Sequence, residues 1–243
     1  MGTNIDEQLC LRQRWCVLLH DHAGPCRPVD STPYKPGQEF YSEAEAQDAH
    51  FYTFSGLKVY YFRPTPYQFH ISDIARGLAM EPRYNGQTRR HYSVAEHCLH
   101  LSHITPEHLQ RRALLHDRAE AYIKDLPRPL KMALRDYRLI TDRIDEASAV
   151  MLMLPSSRDE DLELQQYDNC IIHYEAVHLG LKNINLTCQP DPGSFRPEVI
   201  AACEKIKWDW YEHSSIQSIM ATFALRYNQL TRKMIHNVTD DSE

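Results

Sequence analysis

The chain lacks any apolar run approaching the ~18 residues that cross a bilayer as a helix, so no membrane span is expected. Its first ten residues, MGTNIDEQLC, have no basic segment feeding an apolar core, which argues against a secretion signal. Positive charge is also short. Against 27 Lys+Arg stand 33 Asp+Glu, a formal net charge of −6. That excludes a broad electrostatic footprint for duplex nucleic acid but leaves room for a small basic pocket for phosphate. The seven cysteines are odd in number, scattered and without a CxxC. Reduced thiols in a cytoplasmic compartment are therefore expected, not a disulfide framework. No internal repeat and no low-complexity tract is found.

What is present fits a globular chain that is mostly α. At 243 residues, 42% hydrophobic and 25% charged, it can bury a sizeable core as one domain with an appended segment. Residues 1–50 are read as an N-terminal extension, 51–235 as the domain and 236–243 as a tail. Within the extension, Cys10, Cys16, His20, His22 and Cys26 match no common zinc spacing. Leu18-Leu19-His20-Asp21 is followed by Gly24-Pro25, which breaks any helix. Residues 51–63, FYTFSGLKVYYFR, read as a small hairpin turning at Ser55-Gly56. A helix is expected over 72–80, with Ile71, Ile74, Ala75 and Leu78 on its apolar side. Ser93 and Glu96 form a capping box that opens the next helix. Thr105-Pro106 starts another, which runs to about Tyr122. The two prolines of residues 126–131, LPRPLK, exclude regular helix there and predict a rigid loop. Further helices are expected over 135–154, from Ser157 towards Leu179, from Arg196-Pro197, and over 214–230.

The chemistry concentrates in residues 111–131, RRALLHDRAEAYIKDLPRPLK. His116-Asp117 ends a short apolar run, and imidazole with carboxylate suits a borderline divalent ion. On a helix Asp117 and Glu120 share a face. Taken alone, an adjacent His-Asp is as readily a solvated pair. Partners stand on both sides of it. His97 lies in the second turn of the capped helix, where a satisfied core histidine is the alternative. Asp168 precedes the apolar Ile171-Ile172, where a buried carboxylate is costly unless paired or on a metal.

With RYNGQTRRHYSVAEH, ALLHDRAEAYIKDLPRPLK and the distal YDN in order, the chain from about residue 54 to 230 resembles the HD-domain metal-dependent phosphohydrolase superfamily. It is most similar to the 5′-deoxynucleotidase-like branch of bacteria and phages. The resemblance implies a helical bundle with a small N-terminal β-hairpin. It makes His97, His116, Asp117 and Asp168 ligands of one divalent ion (Mn, Co, Zn, Fe or Mg). Glu120 matches the family's acid–base residue and Asp125 a second acid at the pocket. Arg83 matches a phosphate-contacting arginine, and Tyr84 a ring that packs on sugar or base. Lys124, Arg128 and Lys131 are further candidates for phosphate. One departure stands out: Lys124 occupies a position that is often glycine in these relatives, which bears on the local turn. Dinuclear members add histidines between the HD pair and the distal aspartate, and residues 118–167 contain none. One metal is therefore expected.

The implied activity is hydrolysis of (deoxy)nucleotide phosphates by metal-activated water, as a 5′-monophosphatase or as a triphosphate hydrolase. The competing class is a catalytically inactive nucleotide-binding or interaction protein on the same scaffold. A small nucleotide is the expected partner, without a membrane or stable duplex nucleic acid. The helical surface of residues 214–230 would serve a homo-oligomer or the chain's own core equally well.

Overall fold

The structure, a computed structural model, describes residues 48–181 and 192–240. The extension through residue 47, with its cysteines and histidines, and the end of the tail lie outside the described residues. Among the described residues the chain is mostly α with one two-stranded sheet. β1 (His50–Tyr52) pairs antiparallel with β2 (Lys58–Tyr60), placing Phe51 opposite Val59. Gly56 supplies the left-handed residue of the turn at φ +87°. The Phe51–Val59 side of the hairpin faces the core, and Val59 is fully buried.

Nine helices follow among the described residues. α1 (Ile71–Met80) buries Ile74, Ala75 and Leu78. Its Gly77 lies so close to the chain at Ala121 that a Cβ there would meet Ala121 Cβ at 2.7 Å. α2 (Val94–Ile104) is the central helix, buried at every position from Val94 to Ser102, as expected for a helix enclosed on all sides. The capping box forms: Ser93 Oγ accepts from Glu96 N, and Glu96 Oε2 accepts from Ser93 N at 2.9 Å. α3 (Gln110–Leu115) and α4 (Glu120–Ile123) carry the His-Asp stretch between them. α5 (Arg128–Ala133), α6 (Arg135–Met151), α7 (Arg158–His178), α8 (Pro197–Cys203) and α9 (Ile216–Asp240) complete the bundle. Among the described residues no helix is long and apolar enough to cross a membrane.

Three local expectations are corrected. The helix through His116 is not continuous. Residues 116–119 form tight turns, with Glu120 N donating to Asp117 O at 2.9 Å and Tyr122 N to Ala119 O at 2.9 Å. Such i→i+3 bonding gives about three residues per turn, so Asp117 and Glu120 still stand on one side. The proline segment is not all loop. α5 forms because Pro127 is its N-cap and Pro129 lies in the first turn, where the missing N–H has no intrahelical partner to lose. Thr105, expected to open a helix, closes α2 instead, its hydroxyl donating to Leu101 O.

Two apolar clusters frame the centre. One joins the hairpin, α1, Cys98 and Leu99 of α2, Leu114 and Leu115 of α3, Ile144 of α6 and Phe223 of α9. The other joins Leu101 of α2, Ala113 of α3, and α7 and α8 through Leu164, Ile171 and Val199. Helices α2 and α3 contribute to both, and the polar site lies where they meet α7.

Candidate metal centre

His97 comes from the buried middle of α2, His116 and Asp117 from the turn after α3, and Asp168 from α7. Their donor atoms converge. His97 Nε2 lies 3.3 Å from His116 Nε2, 3.1 Å from Asp168 Oδ1 and 3.9 Å from Asp117 Oδ2. His116 Nε2 lies 3.1 Å from Asp117 Oδ2 and 3.7 Å from Asp168 Oδ1. Ligands about 2.1 Å from a common ion stand roughly 3.0–3.4 Å apart around it, and His97, His116 and Asp168 form a group that could hold a divalent cation, with Asp117 beside His116. Cys98, His116 and Asp117 form a second grouping that could hold a metal. It is the weaker donor set, because burial pushes the Cys98 thiol up to about 11 and only a thiolate ligates well.

The supporting contacts orient both imidazoles. His116 Nδ1 lies 2.8 Å from Ala113 O and His97 Nδ1 lies 2.6 Å from Glu175 Oε1. Each leaves Nε2 for the centre, the arrangement typical of ligating histidines. Glu175, fully buried on α7, is a member that the sequence reading missed. It accepts from the Tyr84 and Tyr92 hydroxyls, and Arg83 Nε lies 3.5 Å from its Oε2. Burial opposes its ionisation, yet Arg83 and His97 hold its carboxyl at about 2. The signal for it was in the sequence: Glu175 follows Asp168 by two helical turns within an apolar stretch, and the cost of burying a carboxylate applies to both.

Charge in the cluster is mutually dependent. Burial opposes ionisation of Asp117 and Asp168, but the two histidines pull both carboxyls well below the carboxylate range, aided at Asp117 by Arg83. His116 is raised despite its burial, by Asp117 first. His97 is raised against burial and Arg83, by Glu175 and Asp168. The carboxylates hold protons on the imidazoles that a cation would displace.

Glu120 sits beside this group, its side chain 5% exposed. One oxygen meets Lys131 Nζ, while buried Oε2 has no partner among the described residues. Burial and the neighbouring Asp117 raise its pKa well above normal, and Lys131 offsets this only in part. Asp125 joins the same ammonium at 3.0 Å.

The expected substrate contacts divide. Arg128 stands at the cluster, with Nη2 3.9 Å from Asp168 Oδ2 and 2.9 Å from Asn169 Oδ1. Lys131 stands there too, but bound to Glu120 and Asp125. Arg83 is turned inward, its Nη1 3.3 Å from Asp117 Oδ2, so it braces an expected ligand. Tyr84 likewise gives its hydroxyl to Glu175, from a left-handed backbone at φ +56°. Lys124 lies apart from the centre, 73% exposed, with Nζ 2.8 Å from Glu81 Oε2.

No protein-family model matches the chain. An uncharacterized protein of Rhodobacter capsulatus is 37% identical over 112 residues, covering 42% of this chain and 57% of that protein. The uncharacterized protein YfdR of Escherichia coli K12 is 34% identical over 145 residues, which is 60% of this chain and 75% of YfdR. On that similarity the chain belongs to the same family as YfdR.

Proposed function

We propose that this protein is a metal-dependent phosphohydrolase of the HD type, acting on (deoxy)nucleotide phosphates. The observation that carries the reading is the convergence of His97, His116, Asp117 and Asp168, with the half-partnered carboxyl of Glu120 beside them. A divalent ion bound by those four residues would acidify a water and neutralise charge growing on phosphoryl oxygens. The remaining steps fall to the chain. Glu120 Oε2 would take a proton from the attacking water or give one to the leaving oxygen, and its raised pKa moves it towards the range where such exchange is efficient. Lys131 holds the other oxygen of Glu120 and keeps the group in place. Arg128 presents a planar fork near the outer oxygen of Asp168, where a second phosphoryl oxygen could be gripped. Arg83, through Asp117 and Glu175, fixes the ligands and does not contact substrate.

The test is phosphate release from a panel of deoxynucleoside mono- and triphosphates with Mn, Co, Zn, Fe or Mg, comparing wild type with Glu120→Ala. Turnover that requires a metal and falls about 10²–10⁴-fold in the variant is expected. Absence of turnover with every metal, while nucleotides still bind, would leave a nucleotide-binding protein instead. The substrates cleaved would separate a monophosphatase from a triphosphate hydrolase.

A further inference from the structure

A second group of polar side chains lies around Tyr92, outside the residues just described. Arg90 uses only part of its guanidinium: Nη1 donates to Glu96 Oε1 and to His91 O, both at 2.6 Å. Its Nε and Nη2 are buried and have no partner among the described residues. These two nitrogens form one side of the guanidinium fork, the geometry that takes a carboxylate or phosphate through two parallel hydrogen bonds. Two imidazole nitrogens share this condition, Nε2 of His178 and Nε2 of His100. All three residues belong to one knot of rings. His178 stacks on Trp208 at 4.7 Å between centroids, and His100 meets the same indole at 5.1 Å. His100 also stacks on Tyr92 at 6.4 Å, and the Arg90 guanidinium lies 5.3 Å from the Tyr92 ring.

Buried nitrogens without a partner among the described residues are uncommon, because buried polar atoms are nearly always satisfied. The acids nearby do not fill the gap. Glu96 meets Arg90 at Nη1, and its other oxygen is committed to Ser93. Glu212 pairs with the exposed Arg89 at 3.4 Å. Burial, then Arg89 and Arg90, lower the pKa of His178. In its neutral form it still offers one N–H.

We propose that the Nε–Nη2 edge of Arg90 and Nε2 of His178 form a second oxyanion site, one that takes a phosphate group against the Trp208 ring. The site does not depend on the hydrolase reading. It adjoins the metal cluster through one residue, since Tyr92 lies beneath Arg90 and its hydroxyl donates to Glu175 at 2.8 Å.

The test is calorimetric titration of the full chain with inorganic phosphate, after EDTA treatment so that no ion at His97 and His116 can hold the anion. Wild type is expected to bind phosphate without metal. Arg90→Lys, which keeps a positive charge beside Glu96 but loses the two-nitrogen edge, should bind at least tenfold more weakly. His178→Gln, at a half-buried position, should do the same. Parallel titration with a nucleoside monophosphate separates the sources: tighter binding than phosphate assigns the site to a nucleotide stacked on Trp208, and equal binding to the free ion. Two outcomes overturn the assignment. One is no metal-independent binding by wild type up to about 10 mM, the weak end of specific affinities. The other is unchanged binding in both variants.

Discussion

Glu175 lies outside the four expected ligands yet holds more of the candidate metal centre in place than any one of them. It ties His97 Nδ1, two tyrosine hydroxyls and Arg83 together, so it sets which nitrogen of His97 faces inward. Glu175→Gln keeps the shape but removes the charge that favours an Nδ1–H donor. Loss of such a supporting contact typically costs 10–100-fold in metal affinity. The variant should therefore bind Mn²⁺ about 10–100-fold more weakly by calorimetry, while retaining the wild-type circular dichroism spectrum. Unchanged affinity would mean that His97 is oriented by α2 alone. Arg83 and Tyr84, expected at the substrate, also contact this carboxylate. A buried carboxylate attracts the nearest donors, and a motif match carries no sign of a carboxylate brought in from α7.

At the scale of elements, the turn that leads from α4 to α5 is under tension. Lys124 has φ +80° and ψ 149°, a region essentially restricted to glycine and costing other residues about 1–3 kcal/mol. Its side chain meets Glu81, and an ion pair with one partner 73% exposed contributes about 0–1 kcal/mol. Lys124→Gly should therefore stabilise the fold by about 1 kcal/mol after the greater chain entropy of glycine is counted. That corresponds to a rise of roughly 2–4 °C in thermal midpoint for a chain of this size. Glycine, which the resemblance leads one to expect at this position, would adopt this backbone without strain. Gly77 is the opposite case. Adding a Cβ would bring it to 2.7 Å from both Cβ and O of Ala121, so α1 and the chain carrying Glu120 must separate. Gly77→Ala should lower stability by about 1–3 kcal/mol despite its better helix propensity, and lower turnover more than metal affinity. Local signals made much of this level legible. The capping box at Ser93, the hairpin at Gly56 and the apolar face of α1 stand where the sequence placed them. The tight turns at residues 116–119 and the proline-started α5 were less legible, because both depend on which backbone donors are already without partners at a helix end. The metal group was legible as an ordered set of residue types; Glu175 and the inward Arg83 were not, because their roles exist only once α2 and α7 are side by side.

For the molecule as a whole, protonation links these buried groups to acid stability. Burial pushes His100 from 6.5 down to about 3, among Tyr92, Trp208 and Tyr211. Below pH 6.5 the unfolded chain takes up a proton there that the folded chain refuses, so stability falls with pH until the folded group titrates near 3. Glu175 acts in a lower window. Its carboxyl is depressed from 4.5 to about 2, so its contribution is complete above 4.5 and is lost as pH falls towards 2. Between pH 6.5 and 5 only the histidine of this pair changes stability, at about 1.4 kcal/mol per pH unit. His100 alone should then cost about 2 kcal/mol at pH 5. His100→Phe retains a flat ring against Trp208 and Tyr211 and removes the titration. Urea denaturation at pH 7 and pH 5 should show a smaller loss in the variant, by about 2 kcal/mol, whatever its absolute stability at pH 7. An equal loss in both proteins would place the acid sensitivity elsewhere, with the histidines and carboxylates of the metal cluster as the next groups to examine.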